Sequence, residues 1–240
     1  MKVSSEYEQA WEGFWQDAPA EAGGVFWDAD PSVTAARHLP HFEPHFDPGL
    51  PLVDLGCGNG TQTRFLAGRY DRVVGVDLAR AAVALARRDD PRGTADYRRL
   101  DGVDADAVRR LHDELGDANV YMRGVLHQCR TPDRAALVAG IAALTGERGR
   151  VFAVELAEAA KEVLAGLAAG PQGPPLKLRA VFSHGIAPGE VADAAVPGYF
   201  HEAGLTVLAE GEQPLVTTEF TPDGETVEVP SKWLVAGRPG

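Results

Sequence analysis

Between residues 45 and 155 the chain alternates short apolar runs with stretches whose apolar positions recur at helical spacing. The runs at 51–55, 72–77, 95–100, 118–122 and 149–156 predict five strands, the third the weakest because Arg98 and Arg99 break it. Between them, helices are expected over 61–69 and 79–88, along the face made by Val108, Leu111 and Leu115, and along the face made by Leu137, Val138, Ile141 and Leu144. Thr131 and Pro132 are expected to cap the last of these, and Gly146 to end it. Strands and helices in such alternation imply a parallel sheet with helices on both faces.

The flanks have other rhythms. Residues 4–17 read as a helix with Ser5 and Glu8 as a capping box and with Tyr7, Trp11, Phe14 and Trp15 on one face. After Gly23 and Gly24 come Phe26 and Trp27, then Asp30 as an N-cap and Pro31 at a first helical position. The short helix that follows is expected to be interrupted by Pro40 and Pro44. On the other side of the core, a helix carrying Val163, Leu164 and Leu167 stops at Gly170 and Pro171, and a proline- and glycine-rich stretch, 170–190, breaks the alternation. It reads as a substrate-facing insertion or as a mobile surface loop. A short helix at 197–204 leads to LTVLAE, and the turn 221–224 joins LVTTEF to TVEVPSKWLVAG, read as antiparallel edge strands six and seven. The expected division is an N-terminal helical cap, 1–44, and a main domain, 45–240, with the insertion at 157–196.

Composition narrows the partners. A chain of 240 residues and 25.5 kDa supports one core with an appendage. A formal net charge of -12 would repel a phosphate backbone, so no nucleic-acid partner is expected. The two cysteines, Cys57 and Cys129, have neither disulfide nor metal spacing, which suits a reducing compartment. With no apolar leader and no run of membrane-spanning length, a cytoplasmic protein without a membrane partner is expected. His38, His41 and His45 invite a metal, but the prolines among them spoil a helical alignment and no fourth ligand joins them, so none is expected. Nothing in the pattern speaks for a particular oligomeric state.

The first strand runs into LVDLGCGNG, 52–60, with Asp54 and then Gly56, Gly58 and Gly60 before a helix. Glycines there permit positive φ and let a ligand lie against main chain, and the helix that opens next offers unpaired N–H groups. The dinucleotide fingerprint would need its third glycine at Thr61, one place later than Gly60. The second strand ends in Asp77, placed to accept hydrogen bonds from ribose hydroxyls. In these features the chain resembles the class I S-adenosylmethionine-dependent methyltransferases of the small-molecule type, from about residue 30 to the end. The resemblance implies a Rossmann-like, doubly wound α/β fold with a seven-stranded sheet, mostly parallel with an antiparallel C-terminal strand.

It also implies roles. S-adenosyl-L-methionine would be the cofactor, with Asp54, Gly56, Gly58 and Gly60 at its methionine part, Asp77 on the ribose, Leu78 beside the adenine, Asp101 with Gly102 at the adenine amino group, and Arg123 near the methionine end. Asp101 reads alternatively as a solvated turn and Arg123 as a structural ion-pair residue. Asn119 departs from the family, where an acid often opens the fourth strand. Tyr7, Trp11, Trp15 and Trp27 are expected either to close over the site as a lid or to glue the first helix to the sheet. His127, at the opening of the helix after the fourth strand, is the candidate for acid–base work, with His184 in the insertion as its competitor. A histidine bonded to backbone at a helix start is the plain alternative for His127. The expected reaction is in-line transfer of a methyl group to an O, N, S or activated C nucleophile of a small organic molecule. The rivals are a cofactor-binding regulator without transfer and a nicotinamide oxidoreductase.

Overall fold

Every residue of β1 (Leu52–Leu55) is buried, as a strand covered on both faces requires. In the computed structural model, which describes residues 3–170, 173–221 and 223–239, β1 lies between β2 (Val73–Asp77) and β4 (Asn119–Arg123), parallel to both. Beyond β2 comes β3 (Asp96–Arg99), and beyond β4 comes β5 (Arg150–Leu156), again parallel. The later strands are β6 (Thr206–Glu212), β7 (Leu215–Phe220), β8 (Thr226–Val229) and β9 (Ser231–Gly237). The sheet order is β3-β2-β1-β4-β5-β9-β6, with β9 antiparallel to both its neighbours. Because β1 is followed in the chain by β2 on one side and in space by β4 on the other, a crevice opens between β1 and β4 at their carboxyl ends.

The helices are α1 (Ser5–Asp17), α2 (Ala35–Phe42), α3 (Thr61–Leu66), α4 (Arg80–Asp89), α5 (Ala105–Leu115), α6 (Thr131–Thr145), α7 (Ala160–Ala168), α8 (Leu176–Ser183) and α9 (Ala195–Glu202). One core layer packs Val108, Leu111, Leu137, Ile141 and Phe200 against Val53, Val120 and Val151. The other packs Leu39, Phe42 and Leu66 against Tyr121, Phe152 and Val235. Phe14 and Trp15 of α1 form a third cluster with Ala79, Ala82 and Val181. Among the described residues no helix is long and apolar enough to cross a membrane.

Several expectations are corrected. The cap of α1 is Ser4, whose hydroxyl accepts from Tyr7 N, rather than Ser5. Pro40 sits inside α2 instead of ending it; burial of Leu39 and Phe42 holds the last turn despite the missing N–H. Thr131 is the first residue of α6 and provides no side-chain cap. Part of the expected loop at 170–190 is helical, as α8 begins directly after Pro175. LVTTEF does not join the main sheet: β7 pairs with β8 in a separate hairpin, and Pro230, lacking an N–H, divides β8 from β9. The seventh strand of the sheet is therefore β9 alone. Pro171 of the expected helix stop and Pro222 of the expected turn lie outside the described residues.

Candidate active site

The crevice is floored by the glycine loop. Gly56 N and Cys57 N both donate to Val76 O, at 2.8 and 3.0 Å, which ties the loop to β2. Gly56, Gly58 and Gly60 all have positive φ, at 78, 54 and 77°. A Cβ on Gly56 would collide with Val125 Cγ2, and one on Gly58 would come 2.8 Å from Trp15 Cζ2, so both need the bare backbone. Asp77 closes the loop from β2: Oδ2 accepts from Gly58 N at 3.0 Å and Oδ1 from Ala79 N at 2.9 Å. Asp54 accepts from the Thr63 hydroxyl at 2.6 Å. Burial pushes each of these two carboxyls up to about 6, against the hydrogen bonds they accept.

At the end of β4, Arg123 donates through Nη2 to Trp27 O at 3.0 Å. Beyond it the chain turns at Gly124, and Glu155 of β5 anchors the turn: Oε1 accepts from Val125 N and Leu126 N, both at 2.9 Å, and Oε2 from His127 N at 3.1 Å. His127 Nδ1 stands 2.7 Å from the same Oε2, and its Nε2 lies 3.1 Å from the Gln128 amide nitrogen. An acceptor carboxylate on Nδ1 and a donor amide on Nε2 together fit the tautomer with its proton on Nδ1. Below, His38 Nδ1 meets the Tyr121 hydroxyl at 2.8 Å, and burial holds His38 down at about 3, hence neutral.

The N-terminal segment lies over this crevice. Val3 N donates to Asp101 Oδ2 at 3.0 Å, Glu8 pairs with Arg99, and Glu12 accepts from Ala81 N at 3.2 Å. Trp11 meets Trp27 edge-on at 5.8 Å, and Asp28 accepts from Asn59 Nδ2 at 2.8 Å. The cavity, of about 200 Å³ and partly open to solvent, is lined by Tyr7, Trp11, Trp15 and Trp27 of the N-terminal segment, by Asp54, Gly56, Gly58, Asp77, Leu78 and Asp101 along the loop side, and by Arg123, His127 and Gln128 at the β4 end. A groove of bare backbone leading to an acid at a strand tip suits a nucleoside ligand.

Residues 52–149 match the family model of a methyltransferase domain. Over 100% of this chain and 98% of the other, the protein is 32% identical to an S-adenosylmethionine-dependent methyltransferase from Anabaena variabilis, with a TM-score of 0.91. The chain belongs to the S-adenosylmethionine-dependent methyltransferases. Its fold is shared with a structure described for the conversion of a disulfide bond into a thioacetal group during echinomycin biosynthesis, at 18% identity, TM-score 0.70 and coverage of 96% and 92%. It is shared as well with magnesium protoporphyrin IX methyltransferase from Synechocystis with bound S-adenosylhomocysteine, at 17%, 0.60, 98% and 95%. No protein of curated function matches the sequence.

Within this methyltransferase, not every expected residue reaches the cavity. Gly60 does not line it: a Cβ there would meet Tyr97 and Ala86 at 2.8 and 2.9 Å, so this glycine lets α3 start close against α4 and β3. Gly102 likewise turns towards α6, where a Cβ would lie 2.7 Å from Leu137 Cδ1. His184 stands on the far side of α1, 3.3 Å from Asp17 and edge-on to Phe14, and is not brought to the cavity. Asp101 reaches it, with its two oxygens on Val3 N and Val103 N. Among the described residues no three histidine, cysteine or acidic side chains gather as for a metal; His41 stacks on Trp233 at 4.3 Å, away from His38. Reading the sequence missed Glu155, although an acid closing an apolar strand was the signal that had picked out Asp77. It also missed the Asp28–Asn59 bond and the hairpin β7–β8, whose Val216 and Val229 line the cavity.

Proposed function

We propose that this methyltransferase methylates a small organic acceptor and that His127 removes the acceptor's proton. The observation that carries the reading is His127 at the cavity wall, with its Nδ1 on Glu155 and its Nε2 turned from that carboxylate, where its one contact is the Gln128 amide, itself a cavity-lining side chain that an acceptor hydroxyl can replace. The plain alternative, a histidine serving only a backbone group, is disfavoured because Glu155 itself satisfies the amides of the turn.

The cofactor residues in this proposal are Asp54, Gly56, Gly58, Asp77, Leu78, Asp101 and Arg123, all lining the cavity. When bound, S-adenosylmethionine supplies a sulfonium methyl that is electrophilic without further activation. Asp77 has spare lone pairs on both oxygens for ribose hydroxyls, and Gly58 gives them backbone to lie on. Arg123 provides the positive charge for a carboxylate at the methionine end. Holding the nucleophile in line is the chain's main contribution, roughly 7–11 kcal/mol in the best-oriented systems.

Residues 1–44 act in this reading as a lid over the main domain, 45–240, and the insertion 157–196 faces the acceptor through Leu164, Leu178 and Val181. A cavity partly covered by this segment supports a small molecule over a macromolecule, as does the net charge of -12 against nucleic acid. Two buried free thiols, Cys57 and Cys129, favour work in the cytoplasm. The test is transfer of labelled methyl from S-adenosylmethionine to a panel of phenols, amines and thiols. Transfer to at least one, abolished in His127→Ala, is the expected result; cofactor binding with no acceptor methylated would mean a binding protein.

A further inference from the structure

One part of the cavity lining comes from Leu164 of α7, Leu178 and Val181 of α8, and Leu215, Val216 and Val229 of the hairpin. Among the described residues, no charged side chain of these four elements lines it. Thr217 is polar, but its hydroxyl is spent on Val227 O at 2.9 Å. The charged side chains elsewhere around the cavity come from other elements: Asp28 holds Asn59, Asp54 holds Thr63, Asp101 holds backbone amides, and Asp77 and Arg123 are those assigned above to the cofactor.

The wall is also held together as a unit. Thr218 donates from N to Phe26 O at 2.9 Å and from its hydroxyl to Val25 O at 2.9 Å, while its own carbonyl accepts from Lys177 Nζ at 2.9 Å. One residue of β7 thereby joins the hairpin to the segment before Trp27 and to α8. Trp11 and Trp27, which share a packed cluster with Val181 of this wall, line the cavity too, and their faces and edges suit a ring.

We infer that hairpin β7–β8 with α7 and α8 forms the acceptor subsite, and that it takes an uncharged, apolar aromatic molecule bearing a phenol-type hydroxyl. The inference rests on the small-molecule reading above. A carboxylate or ammonium on the acceptor would lose its water here and find no counter-charge on these walls, a severe penalty in an apolar setting. An aliphatic alcohol would be too weak an acid for a histidine, whereas a phenol ionises near 10, closer to the histidine range. In the transfer, the acceptor oxygen would displace the Gln128 amide from His127 Nε2, give its proton to that nitrogen and form the new O–C bond, and the electron pair of the broken S–C bond would stay on sulfur.

The test is calorimetric titration of the full chain, free and saturated with S-adenosylhomocysteine, with three ligands of one shape: 2-naphthol, its 6-carboxylate and its 6-aminomethyl derivative. The neutral ligand should bind about tenfold or more tighter than either charged one. Equal or tighter binding of a charged ligand overturns the inference, and so does failure of all three to bind. Leu164, half-exposed in α7, tolerates charge best. Leu164→Lys should narrow the gap between 2-naphthol and the carboxylate by about tenfold and leave S-adenosylhomocysteine affinity unchanged; an unaltered gap overturns the wall assignment. Should 2-naphthol bind as expected yet accept no methyl group, the subsite stands and the proton-removal reading fails.

Discussion

His127 Nδ1 and Glu155 Oε2 are 2.7 Å apart with both side chains buried, at 6% and 3% exposure. The same carboxylate holds three consecutive backbone amides, so the imidazole and the turn that carries it share one anchor.

From this pairing, His127→Ala should lower turnover by roughly 10²–10⁴ while leaving S-adenosylhomocysteine affinity unchanged. Glu155→Gln keeps an acceptor for Val125 N and Leu126 N but turns an NH2 group towards His127 N and Nδ1, so it loses both the charge and the anchor of the imidazole, and kcat should fall. Steady-state kinetics checks both, and a wild-type rate in His127→Ala would place catalysis on positioning alone.

Cofactor affinity should depend on Asp77. Its carboxyl titrates near 6 in the free protein because burial disfavours the charge. Ribose hydroxyls donate to the ionised form and favour it, so binding must expel the proton wherever the free protein carries one. Affinity should therefore be level above about 6 and weaken as pH falls below it, by up to about tenfold per unit for this group. Asp77→Ala should weaken S-adenosylhomocysteine at all pH values, at roughly 1–3 kcal/mol per orphaned hydroxyl. Calorimetry across pH 4.5 to about 8 reads the pattern; equal affinity in mutant and wild type would sink the ribose assignment.

Deleting residues 3–22 removes α1 and with it Trp15 from Gly58 and Val3 from Asp101. Turnover should fall by about 10²-fold, in line with a misplaced substrate, and hydrogen exchange in α1 should slow on adding S-adenosylhomocysteine with an acceptor. Full protection of α1 without ligand would make the segment fixed structure instead of a lid.

Two glycines of one loop should respond differently. Gly60→Ala forces a left-handed φ of 77° on a side chain that meets Tyr97 and Ala86, and should cost about 1–3 kcal/mol of stability. Gly58→Ala meets Trp15 above the crevice, so it should weaken cofactor binding as well. Thermal denaturation paired with calorimetry separates the two, and equal ligand loss in both would contradict the packing role given to Gly60.

The local chemistry of the chain was enough to fix the five parallel strands, the glycine loop and Asp77, because strand burial, left-handed turns and strand-end acids are decided within a few residues. Tertiary structure decided what depends on contact across the chain. Gly60 and Gly102 read as ligand glycines in sequence, whereas only the fold shows Tyr97 and Leu137 standing where their Cβ atoms would go. Sequence ranks His127 before His184 as a base by position alone; the contacts that separate them are tertiary, with β5 bringing Glu155 to His127 and α1 bringing Asp17 to His184. The runs in 205–237 all read as strands, but which of them pair depended on Pro230 withholding an N–H and on Thr218 finding the carbonyls of Val25 and Phe26, nearly two hundred residues away. A strand's tendency to form is local, whereas its partner is chosen by what the rest of the fold leaves unbonded.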